Sequence, residues 1–421
     1  MKLTSLVALA GAALASPIQL VPREGSFLGF NYGSEKVHGV NLGGWFVLEP
    51  FITPSLFEAF GDNDANIPVD EYHYTQWLGK DEAQKRLTDH WNTWITEDDI
   101  QAIAENYKLN LVRIPIGYWA FTALPGDPYV QGQEAYLDRA LGWCKKYGLK
   151  AWVDVHGVPG SQNGFDNSGL RDQYDWPNGD NVQHSIDTVN YIAGKYGASE
   201  YNDIVVGIQL VNEPLGPALG MEVIEKYFQE GFWTVRHAGS DTAVVIHDAF
   251  QEKNFFNNFM TTEQGFWNVV LDHHQYQVFS PGELARNIDQ HIGEVCNVGG
   301  QASTEYHWRV FGEWSAALTD CTHWLNGVGK GARLDGSFPG SYFQRSCQGR
   351  DDISTWSDQD KQDSRRYVEA QLDAWEHGGD GWIYWTYKTE NAVEWDFRRL
   401  VDNGIFPFPY WDRQFPNQCG F

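Results

Sequence analysis

Eight short runs of apolar, largely β-branched residues recur along the chain. They are Val37–Gly44, Asn110–Gly117, Lys150–Gly157, Val205–Pro214, Ala243–Phe250, Asn268–Tyr276, His307–Ser315 and Gly381–Lys388. Between most of them the apolar positions follow a helical period, over Glu97–Tyr107, Gln133–Tyr147, Val182–Tyr196, Val223–His237, Pro281–Val295 and Gln359–His377. Strands alternating with helices predict βαβ units on a parallel sheet. Eight such units predict an α/β fold, a single closed (β/α)8 barrel with elaborated loops on its active face. A doubly wound open sheet is the competing architecture. It would want a Gly-rich phosphate turn after the first strand, and Gly39-Val40-Asn41-Leu42-Gly43-Gly44 does not match that fingerprint. The longest irregular stretch runs from 316 to 357. It follows the seventh run, and a loop of that length in a compact domain is usually functional.

Composition narrows the setting. The 421 residues carry 30 basic against 56 acidic side chains, a net charge of −26. That balance argues against nucleic acid and against an anionic membrane surface, both of which need clustered Lys and Arg. Aromatic residues make up 15% of the chain, more than a core needs, so some are expected on a binding surface. Lys2, the apolar run 6–14 and Ala13-Leu14-Ala15 read as a secretory signal peptide over 1–15. Residues 16–36 read as a pro-segment or N-terminal arm, and 37–421 as the barrel. No later run approaches the ~18 apolar residues of a membrane span. The mature protein is therefore expected to be soluble and secreted, outside the cell or in its wall.

Five cysteines are present, Cys144, Cys296, Cys321, Cys347 and Cys419. The last four fit a secreted disulfide framework better than metal ligation, because no C-x-x-C spacing occurs. Four cysteines allow three connectivities. Cys144 sits on an amphipathic helix and reads as a buried thiol.

The ends of the runs carry the chemistry, because (β/α)8 active sites stand at the C-terminal ends of strands. The second run ends near Arg113, the third at His156 and the fourth at Asn212-Glu213-Pro214. The sixth ends at His273-His274-Gln275-Tyr276, the seventh at Glu313-Trp314, and the eighth at Trp382 and Trp385. A lone Glu at a strand end is commonly solvated or salt-bridged. Two across a barrel mouth suit glycosidic cleavage, in which one carboxyl protonates the leaving oxygen and the other attacks or activates water. His156, His274 and Tyr276 read either as hydrogen-bonded core groups or as contacts to sugar hydroxyls. A zinc site built from His156, His273 or His274 with Asp154 is disfavoured, since neither His-x-His nor His-Glu-x-x-His occurs. No metal or cofactor is expected.

With these residues assembled, the chain resembles glycoside hydrolase family 5, and within it the secreted fungal exo-β-1,3-glucanases. The likeness rests on Gly39 to Trp45, Val112-Arg113-Ile114-Pro115-Ile116-Gly117-Tyr118-Trp119, His156-Gly157, and Ser161 to Gly169. It continues through Asn212-Glu213-Pro214, Asp272 to Phe279, Gly312-Glu313-Trp314-Ser315 and Gly381-Trp382-Ile383-Tyr384-Trp385. The resemblance implies Glu213 as acid/base and Glu313 as nucleophile. It implies Asn212 on the sugar 2-hydroxyl, Tyr276 donating to Glu313 and Arg113 beneath Glu313. His156, His274 and Trp385 would line the −1 subsite, and Phe165 and Phe279 would pinch the +1 sugar. Glu49, Asp166 and Asn167 would help close the pocket. The implied activity is a retaining exo-β-1,3-glucanase on β-glucan, acting as a monomer, with β-1,6 cleavage and transglycosylation as further possibilities. An endo-acting relative of cellulase or mannanase type, and a non-catalytic glucan-binding wall protein, are the alternatives.

Three expectations follow. Retention needs the two carboxyls about 5–5.5 Å apart. Glu213 must carry a proton, so its pKa is expected to be raised by the Glu313 charge. Cys321 is expected to pair with Cys347 inside the long excursion, and Cys296 with Cys419 at the C-terminal tail.

Overall fold

In the computed structural model of the protein, residues 29–421 are described. The expected signal peptide and residues 16–28 of the expected arm lie outside them. Each apolar run forms one strand: β1 Val37–Asn41, β2 Leu111–Gly117, β3 Lys150–Gly157, β4 Val205–Gln209, β5 Ala243–His247, β6 Val269–Gln275, β7 Trp308–Trp314 and β8 Gly381–Tyr384. All pairings are parallel, and the strands close in sequence order into one barrel.

Helices Gln133–Tyr147, Asn181–Tyr196, Met221–His237, Ile288–Ala302 and Asp358–Gly378 cover the barrel, close to the expected spans. The expected helix Pro281–Val295 is two helices, Pro281–Leu284 and Ile288–Ala302. The cause is local. Asn287 accepts from the Gln290 backbone N–H while the Gln290 side chain accepts from the Asn287 N–H, a capping box that starts a new helix. Between β5 and β6 the chain makes only the 3-10 turns Phe255–Asn258 and Thr262–Gln264.

The barrel interior is layered, because every second strand residue points inward. Val37, Leu111, Trp152, Val206, Ala243, Val245, Val270, Val310 and Ile383 form an apolar bottom cluster with Phe30 and Tyr32. The Tyr32 hydroxyl donates to Val206 O (2.9 Å) and accepts from Trp152 Nε1 (2.7 Å), so this end of the expected arm plugs the barrel floor. Above it lies a fully buried polar layer of Asn41, Arg113, Asp154, Gln209 and Asp272. Such a layer is costly unless its members pair with one another. Arg113 is its hub.

Disulfides join Cys296 to Cys419 and Cys321 to Cys347, with Cα separations of 5.1 and 5.3 Å. Cys144 is buried and free. No described helix is long and apolar enough to cross a membrane.

Candidate active site

One inward step along the strands, the alternation carries Asp154 to His156 and Asp272 to His274 above the polar layer, and Val245 to His247 and Ile383 to Trp385 above the apolar floor. Arg113 is fixed beneath them by a full set of partners. Its Nε donates to Gln209 Oε1 (2.7 Å), Nη2 to Asn212 Oδ1 (2.7 Å), and Nη1 to Asn41 Oδ1 (2.9 Å) and Glu313 Oε1 (2.8 Å). Asp154 lies 3.1 Å from its Nη2.

Glu313 reaches the interior through a break in register. His273 pairs with Phe311 but His274 pairs with Glu313, so the β6–β7 ladder shifts there and turns Glu313 inward. Gly312 is required at the break. A Cβ on it would stand 2.0 Å from Asp272 Oδ1, which instead accepts the Gly312 N–H at 2.9 Å. Glu213 adopts φ 47°, left-handed and uncommon for a non-glycine residue. Such outliers concentrate at functional sites.

His274 joins the two glutamates. Its Nδ1 lies 2.8 Å from Glu213 Oε1 and 3.4 Å from Glu313 Oε2, while Nε2 lies 3.1 Å from Asp272 Oδ2. Tyr276 donates to Glu313 Oε2 (2.9 Å) and Asn167 to Glu213 Oε2 (2.9 Å). Burial disfavours charge on His274, but the Glu313 and Asp272 charges outweigh it and hold its pKa well above the usual imidazole value. Burial raises Glu213 as well, yet the hydrogen bond and charge of His274 override it and bring Glu213 down to about 2. Glu313 is raised, by burial first and by the Glu213 charge, against the pull of His274 and Arg113. The expectation that Glu313 raises Glu213 is therefore reversed in the resting site. The imidazolium between the two carboxylates decides which one carries charge more easily.

These groups open into a cavity of about 540 Å³. Glu213, Glu313, Tyr276 and Trp385 line its depth, and Glu49, Asp166 and Asn167 its wall. Trp385 stacks parallel to His156 at 5.6 Å. Buried polar atoms of this region without a protein partner include Glu49 Oε1, His156 Nε2, Asp166 Oδ2 and Asn212 Nδ2, together with Asp154 Oδ1 and His247 Nε2 further in. Groups left so are costly unless a ligand satisfies them. Burial pushes Asp166 up to about 7, and burial with the Asp166, Glu313 and Glu213 charges lifts Glu49 well above the carboxylate range. The wall therefore offers donors and acceptors to a neutral, hydroxyl-rich ligand.

Phe165 and Phe279 line the mouth with 39% and 42% of their surface exposed, so neither is a core residue. Two expected strand-end residues stand elsewhere. Trp382 is fully buried behind β8, its indole N–H on Glu376. His273 points outward, between Asp248 (2.8 Å) and Glu305 (2.7 Å). The sequence reading missed Phe51, Phe250 and Trp395, and the basic rim Arg171, Lys330 and Arg333. It also missed His247, which the strand-end rule finds when applied to β5.

Of the zinc candidates, His156 meets Asp154 at 2.6 Å, but His273 points outward and no third candidate ligand among the described residues joins that pair. Among the described residues the metal-capable trio is Glu213, His247 and His274, with ligand atoms within 4.8 Å of one another. Its hydrogen bonding opposes ligation. Both His274 nitrogens face carboxylates, and His247 Nδ1 accepts the Ala249 N–H at 2.9 Å.

The family model for cellulase, glycosyl hydrolase family 5, matches residues 69–319. Over the full length of both chains the protein is 92% identical to the glucan 1,3-β-glucosidase of Yarrowia lipolytica. It is 56% identical to the glucan 1,3-β-glucosidase of Schwanniomyces occidentalis, over 97% of this chain and 95% of that one. It is 53% identical to glucan 1,3-β-glucosidase I/II of Saccharomyces cerevisiae, over 96% and 93%. The solved rutinosidase from Aspergillus niger shares the fold, with a TM-score of 0.71 at 19% identity over 90% of this chain and 99% of that one.

Proposed function

The chain belongs to glycosyl hydrolase family 5, and on that premise we propose that it is a retaining exo-β-1,3-glucosidase. It would release single glucose units from the non-reducing ends of β-1,3-glucan. The observation that carries the mechanism is the contact of His274 Nδ1 with one oxygen of each glutamate. That shared contact supports the short gap of a retaining pair, about 5–5.5 Å, over the gap of about 6.5–9.5 Å that an inverting pair needs for water.

Glu313, oriented by Arg113 and Tyr276, attacks the anomeric carbon and forms a glucosyl ester. Glu213 gives the leaving oxygen its proton. In the resting site that proton lies on His274, one hydrogen bond from Glu213 Oε1, and it moves across as the glycosidic oxygen approaches. Glu213 then takes a proton from water, which hydrolyses the ester with a second inversion. The unpartnered atoms of Glu49, His156, Asp166 and Asn212 would bond the hydroxyls of the −1 glucose, and Trp385 would face its apolar side. Phe165 and Phe279 would flank the +1 sugar.

Exo action is supported by the walls. The loop after β3 supplies Phe165, Asp166, Asn167 and Arg171, and the 316–357 excursion supplies Asn326, Lys330, Arg333 and Phe338. An endo enzyme would need the cleft open past the −1 glucose. The two disulfides support folding in an oxidising compartment, and we place the enzyme outside the cell.

The test is a 2-deoxy-2-fluoro-β-glucosyl fluoride, whose ester turns over slowly. Peptide mapping should find the label on Glu313, and Glu313→Gln should abolish labelling. A label on Glu213, or none with the active wild type, contradicts the assignment.

A further inference from the structure

His247 ends β5 fully buried, outside the cavity lining and behind Glu213 and His274. Its Nδ1 accepts the Ala249 backbone N–H at 2.9 Å, which leaves the ring proton on Nε2. That Nε2 has no partner in the protein. The ring stands edge to face with His274, centroids 4.4 Å apart at 81°, and within 4.8 Å of the Glu213 carboxylate by their ligand atoms. Ala249 and Phe250 are both left-handed, with φ of 50° and 58°, and Phe250 turns its ring into the cavity wall. Two such residues in succession are strained and need outside support. The His247 side chain supplies it through Ala249, and Asp248 through the Phe250 N–H at 2.9 Å.

We propose that His247 is a positioning residue with two ends. Its Nδ1 holds the turn that aims Phe250, and the dipole of its Nε2–H, which makes no hydrogen bond in the resting site, favours the carboxylate form of the neighbouring Glu213. The inference rests on the acid/base reading of Glu213. A neutral ring suits the second role, since a cation there would repel the His274 imidazolium. The groups facing His247 are Asp248 from its own turn, Glu213 beyond β4, and Asp272 and His274 from β6. Lys253 and His273 engage the other oxygen of Asp248. Burial, with the His274 charge, brings His247 down to about 4.

Two substitutions separate the ends. His247→Asn keeps an acceptor for the Ala249 N–H and removes the distal donor. The proton that His274 and Glu213 share should then be held to higher pH, moving the basic limb of kcat/KM on an aryl β-glucoside up by about 0.5 pH unit or more. KM for laminaritriose should change less than about twofold. His247→Gln keeps a distal donor and loses the near acceptor. Its basic limb should stay in place while KM for laminaritriose rises about threefold or more. Lower melting temperatures in both variants, with limb and KM unmoved, would reduce His247 to a core residue and overturn the proposal. A substrate-free readout comes from the wild type labelled with 15N-histidine. NMR should show the Nε2–H tautomer and no imidazolium at pH 6, and an Nδ1–H tautomer would overturn the proposal. A wild type that cleaves neither substrate would instead defeat the functional reading and leave the tautomer result standing.

Discussion

Arg113 donates from Nη1 to Glu313 Oε1 over 2.8 Å, from a position with no solvent exposure. The same planar fork holds Asn41, Gln209 and Asn212, so the orientation of Glu313 is set by the polar layer beneath it. Lysine keeps the charge but cannot serve four partners in one plane. Arg113→Lys should fold, and its kcat on an aryl β-glucoside should fall about 10²-fold or more. Steady-state kinetics checks this alongside circular dichroism. A loss under about tenfold would mean that Glu313 needs no fixed partner.

Phe165 and Phe279 present faces to the mouth rather than to the core. Replacing either with Ala should cost less than about 1 kcal/mol of stability, as expected for a half-exposed side chain. Laminarin oligosaccharides should be turned over more weakly, with a smaller effect on an aryl glucoside. A stability loss of about 3–5 kcal/mol in urea titrations would assign the ring to the core instead.

Much of this was legible along the chain, for a physical reason. Barrel strands are buried on both faces, so each reads as an apolar run, and the polar side chains that follow stand at the mouth. Arg113, His156, Glu213, His274 and Glu313 were found that way. The helix break at Asn287 was also readable, since Asn287-x-x-Gln290 is a start signal inside the periodic stretch. Arg333 was not. Its place at the rim depends on Asp320, a buried carboxylate that accepts from the Arg333 and Leu334 backbone N–H groups, 13 and 14 residues away. The pKa of Glu213 was misjudged because it depends on which way the His274 ring turns, a tertiary outcome.

Glu394 tethers the start of the excursion, accepting from Leu318 N–H (3.1 Å) and Thr319 Oγ1 (2.6 Å). Burial lifts its pKa to about 7, so the folded protein keeps it neutral where the unfolded chain ionises it. Its contribution is whole below the unfolded value of ~4.3 and is lost as pH rises to about 7. Glu394→Gln preserves both contacts, because the Thr319 hydroxyl can accept from the amide. Thermal melts should find the variant near wild type at low pH and more stable at pH 8, by on the order of 3 kcal/mol. Equal gains at both ends of the pH range would contradict a titrating Glu394.

Cys321–Cys347 closes the excursion that carries Asn326, Lys330, Arg333 and Phe338 to the cavity. Cys321→Ser with Cys347→Ser should lose about 2–4 kcal/mol of stability. KM should rise for laminarioligosaccharides, while an aryl glucoside, which needs only the −1 wall, should be turned over nearly as before. Unchanged oligosaccharide kinetics would mean that the Glu394 and Asp320 contacts hold the wall without the disulfide.

The central claim is that this site removes one terminal glucose at a time with retention, and an NMR time course on laminarin reads both parts at once. β-Glucose should be the first-formed product and the dominant one, appearing while the polymer keeps most of its length. α-Glucose as the first anomer, or mixed oligosaccharides with rapid shortening of the polymer, would contradict it.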